Sequence, residues 1–170
     1  FNSIIRGKVP EPFEVSYRHM NGEPHVGKVY ISLMKKNGKT VGIQTITMDT
    51  TEIKKKEKAI REGQEKFERL FMNNPEAADY LDPDFHISNV NPRFTELFGY
   101  SLAEVKGRHI NTVIVPKDKM EEAEMLDKKA RKGYAYHDTA RKRKDRTLVS
   151  VSISAAPITV EDQLVGTVGL

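Results

Sequence analysis

The chain contains no cysteine. That removes disulfides, thiolate metal sites, cysteine nucleophiles and covalent c-type haem attachment together. Long hydrophobic runs are also missing. No stretch approaches the roughly 20 apolar residues of a membrane-spanning helix, and no signal-peptide pattern opens the chain at Phe1. Charge of one sign is not in large excess either: 28 Lys plus Arg stand against 24 Asp plus Glu, a net +4, with most of the basic density in the run at 54–58 and the cluster at 141–146. A general nucleic-acid binder shows a stronger imbalance. Catalytic patterns are equally scarce. There is no glycine-rich phosphate loop, and His19, His25, His86, His109 and His137 show no HxxxH or HExxH spacing. What remains is 170 residues, 38% of them apolar, enough for one ordinary domain and part of another.

The first fifty residues read as antiparallel sheet. Phe13, Val15 and Tyr17 alternate with polar residues, as do Val29, Ile31 and Leu33, and Val41, Ile43, Thr45 and Thr47 supply a third strand. Asn21-Gly22 and Asn37-Gly38 mark the turns between them. Three strands without a covering helix do not complete a domain, so residues 1–50 are expected to be the C-terminal part of one. From Thr51 to Phe71 there is no proline, one glycine and a run of strong helix formers. Thr50 or Thr51 is placed to cap this helix, and Ile53, Ile60 and Phe67 recur at seven-residue spacing.

After Pro75 two short strands are expected near 77–81 and 86–90. Asn91-Pro92 starts a compact helix that Gly99 closes, and Ser101 with Glu104 frames a second that Gly107 ends. Asp118 and Glu121 are expected to box the start of a longer helix over 119–132, whose face Met120, Ala123, Leu126 and Ala130 is apolar. Strands over Tyr134–Lys142, Thr147–Pro157 and Leu164–Leu170 follow. These three echo the first three. Asn21-Gly22 and Val41-Gly42 match Asp145-Arg146 and Val165-Gly166 at an offset of 124, whereas Val29, Ile31 and Leu33 match Val151, Ile153 and Ala155 at 122. That mismatch predicts a two-residue length difference in the hairpin. The repeat itself predicts two domains joined by a helix.

The stretch Asn91-Pro92-x-Phe94-x-x-Leu97-Phe98-Gly99-Tyr100-Ser101-x-x-Glu104-x-x-Gly107-Arg108 resembles the signature of PAS domains. Arg143-Lys144-Asp145-Arg146-Thr147-Leu148-Val149 resembles a hairpin of that family, with Arg146 where glycine is usual, a departure that predicts a different turn type. Asp49-Thr50-Thr51-Glu52 resembles the Asp-x-Thr motif ending a PAS domain. The resemblance implies an α+β fold, with a five-stranded antiparallel sheet carrying short helices on one face. It divides the chain into a first PAS domain's C-terminal three strands (1–50), a linker helix (51–72) and a second PAS domain (73–170) whose last strand is truncated.

By the same resemblance the chain is a cytoplasmic, non-catalytic sensory or relay module of a signalling protein, commonly a sensor histidine kinase. Homodimerisation, a downstream output domain in the same chain and a small-molecule ligand are implied, with no nucleic-acid or membrane partner. Phe94, Phe98, Ile110, Val113, Ile114, Met125, Tyr136 and Ile153 are expected to line an apolar pocket in the second domain. Asp49 and Thr51 are expected to form the signal junction. The cofactor is left open, although haem is disfavoured because the 119–132 helix lacks histidine, and a cysteinyl-flavin adduct because cysteine is absent. His137-Asp138 is expected in a strand rather than on a phosphoacceptor helix. His109 is expected to be a turn residue. Arg141, Lys142, Arg143, Lys144 and Arg146, without interleaved aromatics, read as a solvated hairpin rather than a nucleic-acid surface, although a basic interaction module is the alternative function. Glu121, Glu122 and Asp127 are expected to face solvent.

Overall fold

A computed structural model describes residues 9–170, so the first eight residues of the 1–50 segment lie outside the described residues. The chain divides into two compact units, residues 1–65 and 66–170. In the first, β1 (Phe13–Arg18), β2 (Pro24–Lys36) and β3 (Lys39–Asp49) form an antiparallel meander. Helix α1 (Thr51–Met72) follows and continues into the second unit. Little of the first unit is buried: among its described residues Gly27, Val29 and Thr51 are, while Tyr30, Met34, Val41, Ile43, Ile46 and Met48 are exposed.

The second unit holds a five-stranded antiparallel sheet of order β5-β4-β8-β7-β6. Its strands are β4 (Asp79–Leu81), β5 (Ile87–Val90), β6 (Ala135–Lys142), β7 (Leu148–Val160) and β8 (Gln163–Gly169). Between β5 and β6 run α2 (Pro92–Phe98), α3 (Leu102–Val105), α4 (Ile110–Ile114) and α5 (Met120–Lys132). The mixed α+β architecture anticipated from the sequence is present, together with the preceding three-stranded sheet.

Local chemistry accounts for the helix boundaries. The buried Asn91 side chain accepts from the N–H of Phe94 at 2.9 Å and of Ala78 at 2.9 Å, and donates to the Glu76 carbonyl at 2.7 Å. One amide thereby starts α2 and fastens the approach to β4. Gly99 ends α2 in the left-handed conformation, φ 77°. Glu104 reaches back to the Ser101 N–H and hydroxyl, both at 2.9 Å. The expected box at Asp118 and Glu121 does not form. Asp118 lies in a short 3-10 turn, Lys117–Lys119, so α5 starts at Met120 with no side-chain cap.

The two meanders share one register. Met34 pairs with Gly42 just before an irregularity, and Ile158 pairs with Gly166 in the same situation, both 124 positions on. Tyr17 opposite His25 likewise becomes Arg141 opposite Val149. The expected two-residue difference is therefore absent. A strand alternates with period two, so a slip of two residues keeps every apolar side chain on its face and leaves no trace in the pattern.

The turns recur as well. In the first hairpin the N–H of Gly22 donates to the His19 carbonyl, and that of His19 to Glu23. Arg146 to Arg143 and Arg143 to Thr147 repeat this arrangement. Arg146 takes φ 71° where Gly22 takes 87°, so the turn is of the same type and the expectation of a different one is corrected. Asp145 compensates by accepting from the Thr147 N–H at 2.9 Å and hydroxyl at 2.6 Å. At the second turn, Glu161 and Asp162 adopt positive φ as Asn37 and Gly38 do.

Candidate functional site: the interior cavity and the strand-to-helix junction

The helices of the second unit leave a cavity of about 400 Å³ against the sheet. Phe94, Leu97 and Phe98 enter it from α2, and Ile110, Asn111 and Ile114 from α4. Ala123, Leu126, Asp127 and Ala130 come from α5, and Val151, Ile153 and Ala155 from β7. Five of the eight expected lining residues, Phe94, Phe98, Ile110, Ile114 and Ile153, thus meet there.

The other three do not. Val113 is buried but packs off the wall, because Ile110, Asn111 and Ile114 already occupy the helical arc that faces the cavity. Met125 lies on the far side of α5 from Ala123, Leu126 and Ala130 and is 58% exposed. Tyr136 alternates outward from the buried Ala135 and is 53% exposed.

Sequence reasoning missed the polar part of this wall. Asp79 on β4 faces inward beside Leu81, and its Oδ1 is buried without a hydrogen-bond partner. Burial pushes its carboxyl up to about 7. The Thr167 hydroxyl, on the paired strand β8, is buried and unpartnered as well. The available signal was the alternation Ala77, Asp79, Leu81, which puts an acid on the apolar face of a strand.

Two expectations about charges are corrected here. Arg141 is 2% exposed rather than part of a solvated hairpin, and its Nη1 donates to Glu122 Oε1 at 2.9 Å and to Thr139 Oγ1 at 3.1 Å. Inward alternation along β6 outweighs local charge density. Burial alone would raise the Glu122 carboxyl, but hydrogen bonds from Thr139, Arg141 and Lys119 hold it at about 2. Asp127 also turns inward. Burial pushes it up, against a hydrogen bond donated by Asn111 at 2.6 Å. Lys144 is paired with Glu104.

His137 sits in β6, with Nε2 3.5 Å from Glu122, and His109 caps α4 by accepting from the Asn111 N–H at 3.3 Å. The second site is the end of β3. Asp49 accepts from the Thr51 N–H at 2.9 Å and the Tyr17 hydroxyl at 3.0 Å, and lies 2.6 Å from His25 Nδ1. Hydrogen bonds from Thr51 and His25 hold its carboxyl well below the usual range. Thr51 Oγ1 accepts from the Val26 N–H at 2.9 Å, and the Thr50 hydroxyl donates to the Val26 carbonyl at 3.1 Å. Both ends of this Asp-Thr-Thr step are thus bonded, one to the strands and one to the start of α1.

Comparison with known proteins places this architecture. No curated protein matches the sequence. Among solved structures, the PAS domain of an HTR-like protein from Haloarcula marismortui is 28% identical, with a TM-score of 0.52 over 68% of this chain and 95% of that one. The PAS domain of a protein from Colwellia psychrerythraea is 22% identical, TM-score 0.56, over 62% and 92%. The LOV protein of Rhodobacter sphaeroides is 15% identical, TM-score 0.54, over 62% and 63%, and shares the fold. A family model described as the PAS domain matches residues 78–169. With that match over more than half its length, the chain belongs to the PAS domain family, whose members are generally sensory or signalling modules rather than catalysts.

Proposed function

We propose that residues 73–170 form a ligand-sensing PAS module of a larger signal-transduction protein, of the sensor histidine kinase kind. The observation that carries this reading is the cavity of about 400 Å³, apolar over most of its wall yet holding buried polar groups. That combination is how small-molecule sites obtain affinity and orientation together. The kinase assignment follows from the sequence resemblance.

Residues 1–50 are read as the end of a preceding PAS domain, which the uniform 124-residue register of the two meanders supports. Helix α1 is the relay. Ile53, Ile60 and Phe67 are 55%, 62% and 54% exposed, leaving an apolar stripe for a second copy of the helix in a homodimer. Asp49 and Thr51 fix where that helix begins. A basic nucleic-acid module is the weaker reading, because Arg141 is buried and Lys144 is paired.

Mass spectrometry of the natively purified protein tests the sensing role. A retained small molecule that Ile153→Trp displaces is the expected result, and retention unchanged by that substitution overturns it. The relay is tested in the full-length protein. One residue inserted after Glu57 rotates everything downstream by about 100° and should disrupt or invert output. Seven inserted residues nearly restore the stripe and should preserve it. Equal output from both would leave α1 as a tether.

A further inference from the structure

We propose that the cavity takes a small, mostly apolar molecule carrying a protonated amine, and that Asp79 is the residue that receives the amine. This rests on the ligand-sensing reading and specifies its ligand class.

A buried carboxyl without a partner destabilises a fold, and asparagine or an aliphatic residue would cost less at a purely structural position. Asp79 Oδ1 nevertheless meets no donor. The neighbouring strand is shaped around the carboxyl. Gly169 pairs directly with Asp79, and a Cβ at Gly169 would sit 2.8 Å from Oδ1 and 2.9 Å from Oδ2. The absent side chain at 169 is what gives the acid its room.

Thr167 is 1% exposed and lies two residues along on the same face of β8, with its hydroxyl also unpartnered. A carboxyl and a hydroxyl therefore wait together on the wall of a space that Phe94, Phe98 and Ile153 otherwise keep apolar. The buried cation of the wall is already engaged, since Arg141 Nη1 donates to Glu122, Thr139 and the Ala140 carbonyl. The unmet need is thus for a donor rather than an anion. A protonated amine supplies a charge-assisted hydrogen bond to Asp79 and has a further N–H for Thr167, while its hydrocarbon fills the cavity.

The test is calorimetric titration of the full chain at pH 8 with three probes of similar shape: 3-phenylpropylamine, propylbenzene and 3-phenylpropanoate. The amine is expected to bind about tenfold or more tighter than propylbenzene, and the propanoate weakest. Asp79→Asn and Asp79→Ser should each bring the amine to the level of propylbenzene and leave propylbenzene itself unchanged. Asp127→Asn, which removes the wall's other inward acid, should leave the preference for amine intact. Should neither Asp79 variant fold, the order of the three probes on the unaltered chain decides. Propylbenzene binding as tightly as the amine, or a preference that survives Asp79 replacement, overturns the assignment while the cavity remains a sensor. Failure of all three probes to bind overturns the sensing reading and this inference together.

Discussion

The first and last meanders have the same register, the same irregularity and the same turns, yet one is nearly all surface and the other walls a cavity. Pairing and turn geometry are therefore properties of the strands themselves. Burial is conferred by what packs on them: β8 is paired with β4 on one side and β7 on the other, whereas, among the described residues, β3 is bonded only to β2. Residues at equivalent positions consequently face different demands, and substitutions at such positions separate the two effects.

The largest contrast is expected at Gly42 and Gly166. A Cβ at Gly166 would lie 2.5 Å from the Leu81 carbonyl oxygen, a backbone atom that cannot rotate away. At Gly42 the nearest atom is the flexible Met34 sulfur at 3.8 Å. Gly166→Ala should cost about 3 kcal/mol by forcing β8 from β4. Gly42→Ala should stay within about 0.5 kcal/mol of the original. Denaturant midpoints of the two variants check this, and equal losses would break the comparison.

The next contrast is between two aspartates, Asp49 and Asp79. Asp49 is surrounded by donors and its carboxyl is depressed, so its contribution is present above the ordinary carboxylate range and lost on acidification. Asp79 is raised by burial to about 7. The folded chain then holds a proton that the unfolded chain releases near pH 4. Stability must therefore fall as pH rises between about 4 and 7, and the penalty is complete above that window. Asp79→Asn should remove this slope and stabilise the protein by about 2 kcal/mol at pH 8, less than the full cost of the charge because a buried amide also lacks partners. Thermal unfolding at pH 5 and pH 8 measures it, and a variant no more stable than the original at pH 8 would contradict the burial argument.

The smallest effect is expected at the hairpins. Arg146 holds a conformation that glycine adopts freely, so Arg146→Gly should gain about 0.5 kcal/mol after the added entropy of the unfolded chain is offset. Gly22→Ala, the reverse change at the equivalent turn, should lose a similar amount. A loss at Arg146→Gly would mean that the arginine side chain stabilises the turn by contacts of its own.

Much of this was readable from residues alone. Asn91-Pro92, Gly99 and Ser101-x-x-Glu104 are local signals, satisfied within a few positions, so they located α2 and α3 without tertiary information. The alternating strands and their turns were likewise legible, and so was most of the apolar lining, because Phe94, Phe98, Ile110 and Ile114 follow the helical period. Met125 on its helix and Tyr136 on its strand were misplaced where size and hydrophobicity were weighed above the period of the element.

By itself, then, the sequence determined the elements, the caps of α2 and α3, the order of the meanders and the family, because each depends on interactions short in chain distance or on periodic pattern. Tertiary structure decided the exact offset of the repeat, which a period of two cannot register. It also decided the fate of the charges. Arg141 and Glu122 meet across 19 positions, and Asn111 and Asp127 across 16. The acid at 79 depends on a missing side chain at Gly169, 90 residues away in the chain. Whether a charge is paired, solvated or left waiting in a cavity depends on partners brought together from distant strands and helices, and only the packed structure supplies them.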